Sequence, residues 1–172
     1  MGSNIRPEAN IPAALEKLMR AVRVTATSTF YRTAALQRSG TGEEGRTTDP
    51  EFLNGVWKIE TDLDARALKF TVLRRIEDEL GRTRTADKYA PRTVDLDLLV
   101  YGDTAIDEAG LRVPDPDIRS RSFLALPLLE LCPDLALADT GERLAALPVA
   151  AAGTQLAPDR ALTDWLTERI KR

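Results

Sequence analysis

The run VDLDLLVY, residues 94–101, constrains what this chain can fold into more than any other stretch. In an extended strand, side chains alternate between faces, so Val94, Leu96 and Leu98 share one side while Asp95 and Asp97 share the other. The apolar side predicts a strand in the core. Two carboxylates at neighbouring same-face positions repel each other in an apolar setting, so their side needs water, cations or a shared proton.

The remaining elements follow from periodicity. Ile11, Leu15, Leu18 and Met19 predict a helix over residues 7–21, with Pro12 tolerable only near its first turn. Residues 22–33 are β-branched, aromatic and threonine-rich and predict one strand; FLNGVWKIE, residues 52–60, predicts another. Leu68, Val72, Ile76 and Leu80 predict a helix from about Asp64 that stops at Gly81. A short extended piece at 111–114 leads to a turn and helix in DPDIRSRSFLALPLLEL despite Pro127, and an amphipathic helix over 159–170 ends the chain. Residues 37–50 and 82–92 are polar loops. A mixture of helices and antiparallel strands in 172 residues predicts the α+β class and a single domain.

Histidine is absent, which removes histidine zinc sites, imidazole bases and Ser-His or Cys-His nucleophiles together. Chemistry must rest on carboxylates, arginines and bound metal. With one cysteine, Cys132, no internal disulfide forms, and no apolar run is long enough to span a bilayer. The net charge of −3 gives no reason to expect nucleic acid or an anionic membrane as partner. A cytoplasmic protein is expected.

Paired aspartates suit Mg²⁺, a hard cation held by one or two carboxylates plus substrate phosphates. From Asp95 and Asp97 alone, a solvated strand face explains the pair equally well. The loop RTRTADKYAPR brings Arg82, Arg84, Lys88 and Arg92 close in sequence, and Arg119 and Arg121 follow; guanidinium forks suit phosphate oxygens. Carboxylates for metal plus arginines are what phosphoryl transfer uses. The bland alternative pairs these arginines with Glu77, Asp78 or Asp87. Phe52 and Phe123 are candidates to stack on a flat heteroaromatic ring, with Asn54 offering donor and acceptor on the face of Phe52. No Walker A loop or GxGxxG motif occurs.

The segment APRTVDLDLLVYGD resembles the signature of the 6-hydroxymethyl-7,8-dihydropterin pyrophosphokinase family, and the similarity extends through GSN (2–4), STFYRT (28–33), FLN (52–54), IEDELGRTR (76–84) and VPDPDIRSRSF (113–123). The resemblance implies a ferredoxin-like α+β fold and transfer of diphosphate from ATP to the hydroxymethyl group of a reduced pterin, in folate biosynthesis. It implies Asp95 and Asp97 as ligands of two Mg²⁺ ions, with Asp97 also assisting deprotonation of the attacking hydroxyl. Arg82, Arg84, Arg92 and Arg121 become phosphate-side arginines and Glu77 an adenosine-side contact. Phe52, Phe123 and Asn54 would hold the pterin, with Tyr89 as an aromatic lid. Nothing in the resemblance requires more than a monomer, and residues from about 135 to 172 would be a family-variable extension.

Two departures stand out. Asp115 occupies a position where the family commonly has histidine facing the nucleotide phosphates, so weakened ATP binding is expected. Relatives also carry an apolar strand before GSN, so the first strand is expected to be missing or truncated, with a start upstream of Met1. Two other outcomes remain open: a degenerate relative that binds pterin or nucleotide without turnover, and a plain α+β interaction domain.

Overall fold

The computed structural model describes residues 1–34, 50–84, 90–152 and 156–172. Helix α1 (Pro7–Met19) starts on a proline, whose missing N–H falls where a helix has no partner for it, and it buries Ile11, Ala14, Leu15 and Leu18. Pro12 sits deeper in α1 than the sequence suggested. Only the backbone bond to Glu8 is lost there, and the buried face on either side of it holds the turn.

Each long strand expected from the sequence is two strands. β2 (Arg23–Thr27) and β3 (Tyr31–Thr33) are separated by residues 28–30, and β4 (Phe52–Asn54) and β5 (Trp57–Glu60) by Gly55 and Val56. The breaks face each other. The Ser28 N–H donates to the Val56 carbonyl at 2.9 Å and the Val56 N–H donates to Ser28 Oγ at 2.9 Å, so both strands change direction together. β2 pairs antiparallel with β5, while β3 and β4 enter a second sheet of order β1-β4-β3-β8, where β1 is Gly2–Ser3 and β8 is Ala157–Pro158. Gly55 makes the crossing possible, because a Cβ there would lie 2.6 Å from the buried Phe30 ring. Gly55→Ala is expected to cost about 2 kcal/mol through overpacking, seen as a lower midpoint in urea unfolding.

The expectation left a missing first strand open; β1 is present as a two-residue strand, Gly2–Ser3, paired with β4. Gly2 and Asp95 exchange backbone bonds at 2.9 and 2.8 Å on one side, and β4 pairs with β1 on the other. The Met1 ammonium donates to the Gly55 carbonyl at 2.8 Å, and burial lowers its pKa.

The 94–100 segment corrects the sequence picture in part. The alternation holds, with Val94, Leu96 and Leu98 buried, but among the described residues its only ladder contact is the bridge between Asp95 and Gly2. The Leu96 N–H donates instead to Glu77 Oε1 at 2.8 Å, which diverts the backbone from a regular strand pair. Leu98 packs into a cluster with Leu15, Phe30, Leu53 and Leu166, while Leu99 joins a second cluster with Ile118, Leu128, Leu137 and Leu144. The acidic pair is therefore held at the seam between two apolar clusters.

The helix behind this seam begins where Asp64 caps the Ala67 N–H at 2.7 Å, and it ends before Gly81, whose φ is 75°. It comprises α2 (Ala65–Ala67), a π-helical stretch (Leu68–Leu73) that periodicity did not signal, and α3 (Arg74–Glu79). A hairpin of β6 (Ile106–Glu108) and β7 (Leu111–Val113) leads through a 3-10 turn (Pro116–Arg119) to α4 (Ser122–Leu131). A second 3-10 turn (Leu144–Ala146), α5 (Pro148–Ala152) and α6 (Arg160–Ile170) complete the described elements. α6 buries Leu162 and Leu166 in the first cluster, and Arg169 pairs with Glu16 of α1, Nη2 to Oε2 at 2.8 Å. The architecture is α+β, and every strand pair among the described residues is antiparallel. Among the described residues no helix is long and apolar enough to cross a membrane.

Candidate active site

A pocket of about 310 Å³ opens where β1, the end of β4, residues 95–97 and the start of α4 converge. Phe52, Asn54, Arg92, Asp95, Asp97, Asp115, Arg121 and Phe123 line it, so most side chains singled out in the sequence meet in one place. Glu77, Arg82 and Arg84 are not on its wall. Tyr89 and Lys88, and residues 37–49 of the first polar loop, lie outside the described residues.

One end of the pocket is aromatic and amidic. Phe52 and Asn54, two apart on β4, face the pocket while Leu53 faces the core. The Asn54 amide donates to Thr33 Oγ1 at 2.8 Å, which fixes the amide's orientation. A Cβ on Gly2 would lie 2.5 Å from Asn54 Oδ1, so only glycine admits this approach. Thr33 and Gly2 are site residues that sequence reasoning missed. They sit in the quoted motifs YRT and GSN, but only the β3–β4 and β1–β4 registers reveal their contact with Asn54. The Arg121 guanidinium lies 5.8 Å from the Phe123 ring centroid and ties the ring to the charged end.

The other end is ionic. Asp95 is gripped on one oxygen by Arg82 and on the other by Arg92. Burial disfavours its charge, but the two guanidiniums outweigh burial and hold its carboxyl below the ordinary range. Glu77, only 2% exposed, accepts from Arg82 and Arg84 as well as from the Leu96 N–H. Burial pushes its carboxyl up, with the Leu96 N–H and Arg82 opposing. Arg84 also pairs with Asp78 at 2.9 Å, so the bland pairing weighed for these arginines is realised alongside the grip on Asp95. Glu77 thus lies beneath the arginines.

Asp97 differs from its neighbour. It is open to the pocket by surface area yet crowded by protein on its other sides; the crowding, then the charge of Asp95, push its carboxyl up. It makes no hydrogen bond or ion pair with any described residue. Arg119 and Arg121, two residues apart in sequence, separate: Arg119 turns away to Asp139 at 2.7 Å, while Arg121 faces the pocket and pairs with Asp117 at 2.8 Å. Asp115 lines the pocket and accepts the Asp117 N–H at 2.9 Å, capping the 3-10 turn; burial raises its carboxyl.

The sequence profile of the 7,8-dihydro-6-hydroxymethylpterin-pyrophosphokinase (HPPK) family matches residues 1–133. The chain belongs to this family. It is 36% identical over 140 residues to the 2-amino-4-hydroxy-6-hydroxymethyldihydropteridine pyrophosphokinase of Haemophilus influenzae, covering 80% of this chain and 81% of that protein. Against the enzyme of the same name from Pseudomonas aeruginosa, identity is 37% over 154 residues, or 86% of this chain and 89% of the relative. The folic acid synthesis protein fol1 of Pneumocystis carinii matches at 35% over 147 residues, which is 84% of this chain but 18% of that longer protein. Every side chain lining the pocket described above lies within the residues matched to the HPPK family, 1–133.

Proposed function

We propose that this HPPK-family chain transfers the diphosphate of ATP to the hydroxymethyl group of 6-hydroxymethyl-7,8-dihydropterin, releasing AMP, in folate biosynthesis. The observation that carries the proposal is the joining of an aromatic and amide end to a carboxylate and arginine end in one pocket of about 310 Å³. Phe52 and Phe123 take the faces of the pterin and Asn54, oriented by Thr33, reads its polar edge. The hydroxymethyl oxygen bonds to the β-phosphorus of ATP as the bond between that phosphorus and the α-bridging oxygen breaks, so AMP leaves. Asp97, whose proton affinity is raised, receives the hydroxyl proton.

Asp95 and Asp97 have the oxygen donors that suit Mg²⁺, and bound Mg²⁺ ions, two in this reading, would supply charge neutralisation at the phosphates. Among the described residues no three acidic, histidine or cysteine side chains are grouped to hold a metal, so the remaining ligands would be substrate and water oxygens. Asp97 has its oxygens available, whereas Asp95 must release arginine contacts first. The arginines then have phosphate oxygens to receive them. Substrate entry thereby exchanges partners: Arg82 and Arg92 pass from carboxylate to phosphate, joined by Arg84 and Arg121. Tyr89 completes the aromatic side as a lid. The fold is taken as ferredoxin-like and the chain as a single-domain cytoplasmic monomer, with 135–172 a family-variable extension braced by α6.

The test is incubation with ATP, Mg²⁺ and 6-hydroxymethyl-7,8-dihydropterin, with AMP and pterin diphosphate separated chromatographically. Equimolar release of both is expected. Binding of ATP or pterin with no AMP formed would favour the degenerate relative instead.

A further inference from the structure

Lys69 belongs to none of the motifs or ion pairs described so far. It lies in the π-helical stretch, half-buried, and its side chain makes no hydrogen bond or salt bridge with any described residue. A half-buried ammonium that makes no hydrogen bond gives up hydration with only longer-range attraction in return. Its surroundings indicate what could compensate it.

Lys69 lines an open groove of about 470 Å³ together with Asp107, Glu108, Arg112, Asp115 and Asp117. Asp115 and Asp117 also line the pocket of the proposed reaction, so the two concavities share a wall. Most charges in the groove are satisfied within the protein. Asp107 holds Arg112 through two contacts at 2.9 and 3.1 Å, Glu108 pairs with Arg66 at 3.1 Å, and Asp117 pairs with Arg121 at 2.8 Å. Lys69 and Asp115 remain. The positive charge of Lys69 favours the ionised forms of Asp115 and Asp97, and Asp115, on the shared wall, links the groove to the reacting end of the pocket.

We infer that Lys69 binds a phosphate oxygen of the nucleotide, which lies along the groove past Asp115, and so offsets the repulsion that Asp115 exerts on a polyphosphate. The inference rests on the ATP-dependent reading above, and it concerns nucleotide binding alone. An ammonium donating to a phosphate is a charge-assisted bond whose loss weakens binding about tenfold or more.

The test is calorimetric titration of the full chain with ATP and Mg²⁺, without pterin, alongside tripolyphosphate and adenosine as separate probes. Lys69→Met should weaken ATP and tripolyphosphate about tenfold and leave adenosine unchanged, and Lys69→Arg should restore most of the affinity. Asp115→Asn should tighten ATP. In the double variant, ATP should bind about tenfold more weakly than to Asp115→Asn alone. If the double variant instead matches Asp115→Asn, Lys69 only neutralises that aspartate and the inference is overturned, as it is if Lys69→Met binds ATP normally. Thermal melting identifies a variant that fails to fold, in which case Lys69→Gln replaces it. Lys69-dependent ATP binding without AMP release would sink the catalytic reading and leave this one standing; no ATP binding by the unmodified chain would sink both.

Discussion

Asp97→Ala is expected to lower diphosphate transfer by about 10³-fold or more, because a carboxylate at the reacting phosphates accounts for several kcal/mol of barrier and each 1.4 kcal/mol is about tenfold. The fold should survive. Asp97 makes no hydrogen bond or ion pair with a described residue, and its charge is disfavoured by crowding and by Asp95. A folded-state pKa raised above 3.8 means that the folded protein binds this proton more tightly than the unfolded chain does. That contribution to stability is fully present below 3.8 and is lost as pH rises through the raised value. At neutral pH the ionised side chain is therefore a net cost, and Asp97→Asn should unfold at the same or slightly higher urea. For activity the sign reverses, since the working form is ionised: kcat/KM should fall toward acid on a limb lying above 3.8. Retention of more than about a tenth of the activity in Asp97→Ala would remove Asp97 from the mechanism.

The alternation of Val94, Asp95, Leu96, Asp97 and Leu98 made the position of the acidic pair readable from period two alone, and the structure keeps those faces apart. The helices were readable for the same reason: Leu68, Val72 and Ile76 are buried as their spacing requires. Three features were not readable. The kink shared by residues 28 and 56 depends on a side chain to backbone bond between segments far apart in sequence. The π-helical stretch leaves the apolar spacing intact, so periodicity does not detect it. The third is the arrangement of charge. Arg119 and Arg121 look alike in sequence, yet the turn ahead of α4 sends one to Asp139 and the other to the pocket. Lys69 carries no motif, and its significance comes from what its neighbours already hold.

Glu77 is where family resemblance and structure suggest different work, and Glu77→Ala separates them. An adenosine contact would leave stability intact and raise the KM for ATP. The structure instead shows a carboxylate 2% exposed that accepts from the Leu96 N–H at 2.8 Å and from Arg82 and Arg84. Truncation leaves that N–H without its acceptor and removes one of the two carboxylates holding the Arg82 charge, whose side chain is only 16% exposed. Breaking a buried pair from one side costs about 3–5 kcal/mol, and Arg82 retains Asp95, so about 3 kcal/mol is expected in urea unfolding at neutral pH. The raised proton affinity of Glu77 does not conflict with this loss. Burial makes the ion costly to form, and deleting it leaves its partners unpaired, which is the worse state. Glu77→Gln keeps an acceptor for the Leu96 N–H and loses only the charge, so its stability should lie between the two. Because Arg82 also grips Asp95, the Gln variant should lower kcat more than it raises the KM for ATP. A variant with normal stability and only a raised KM would return Glu77 to the nucleotide.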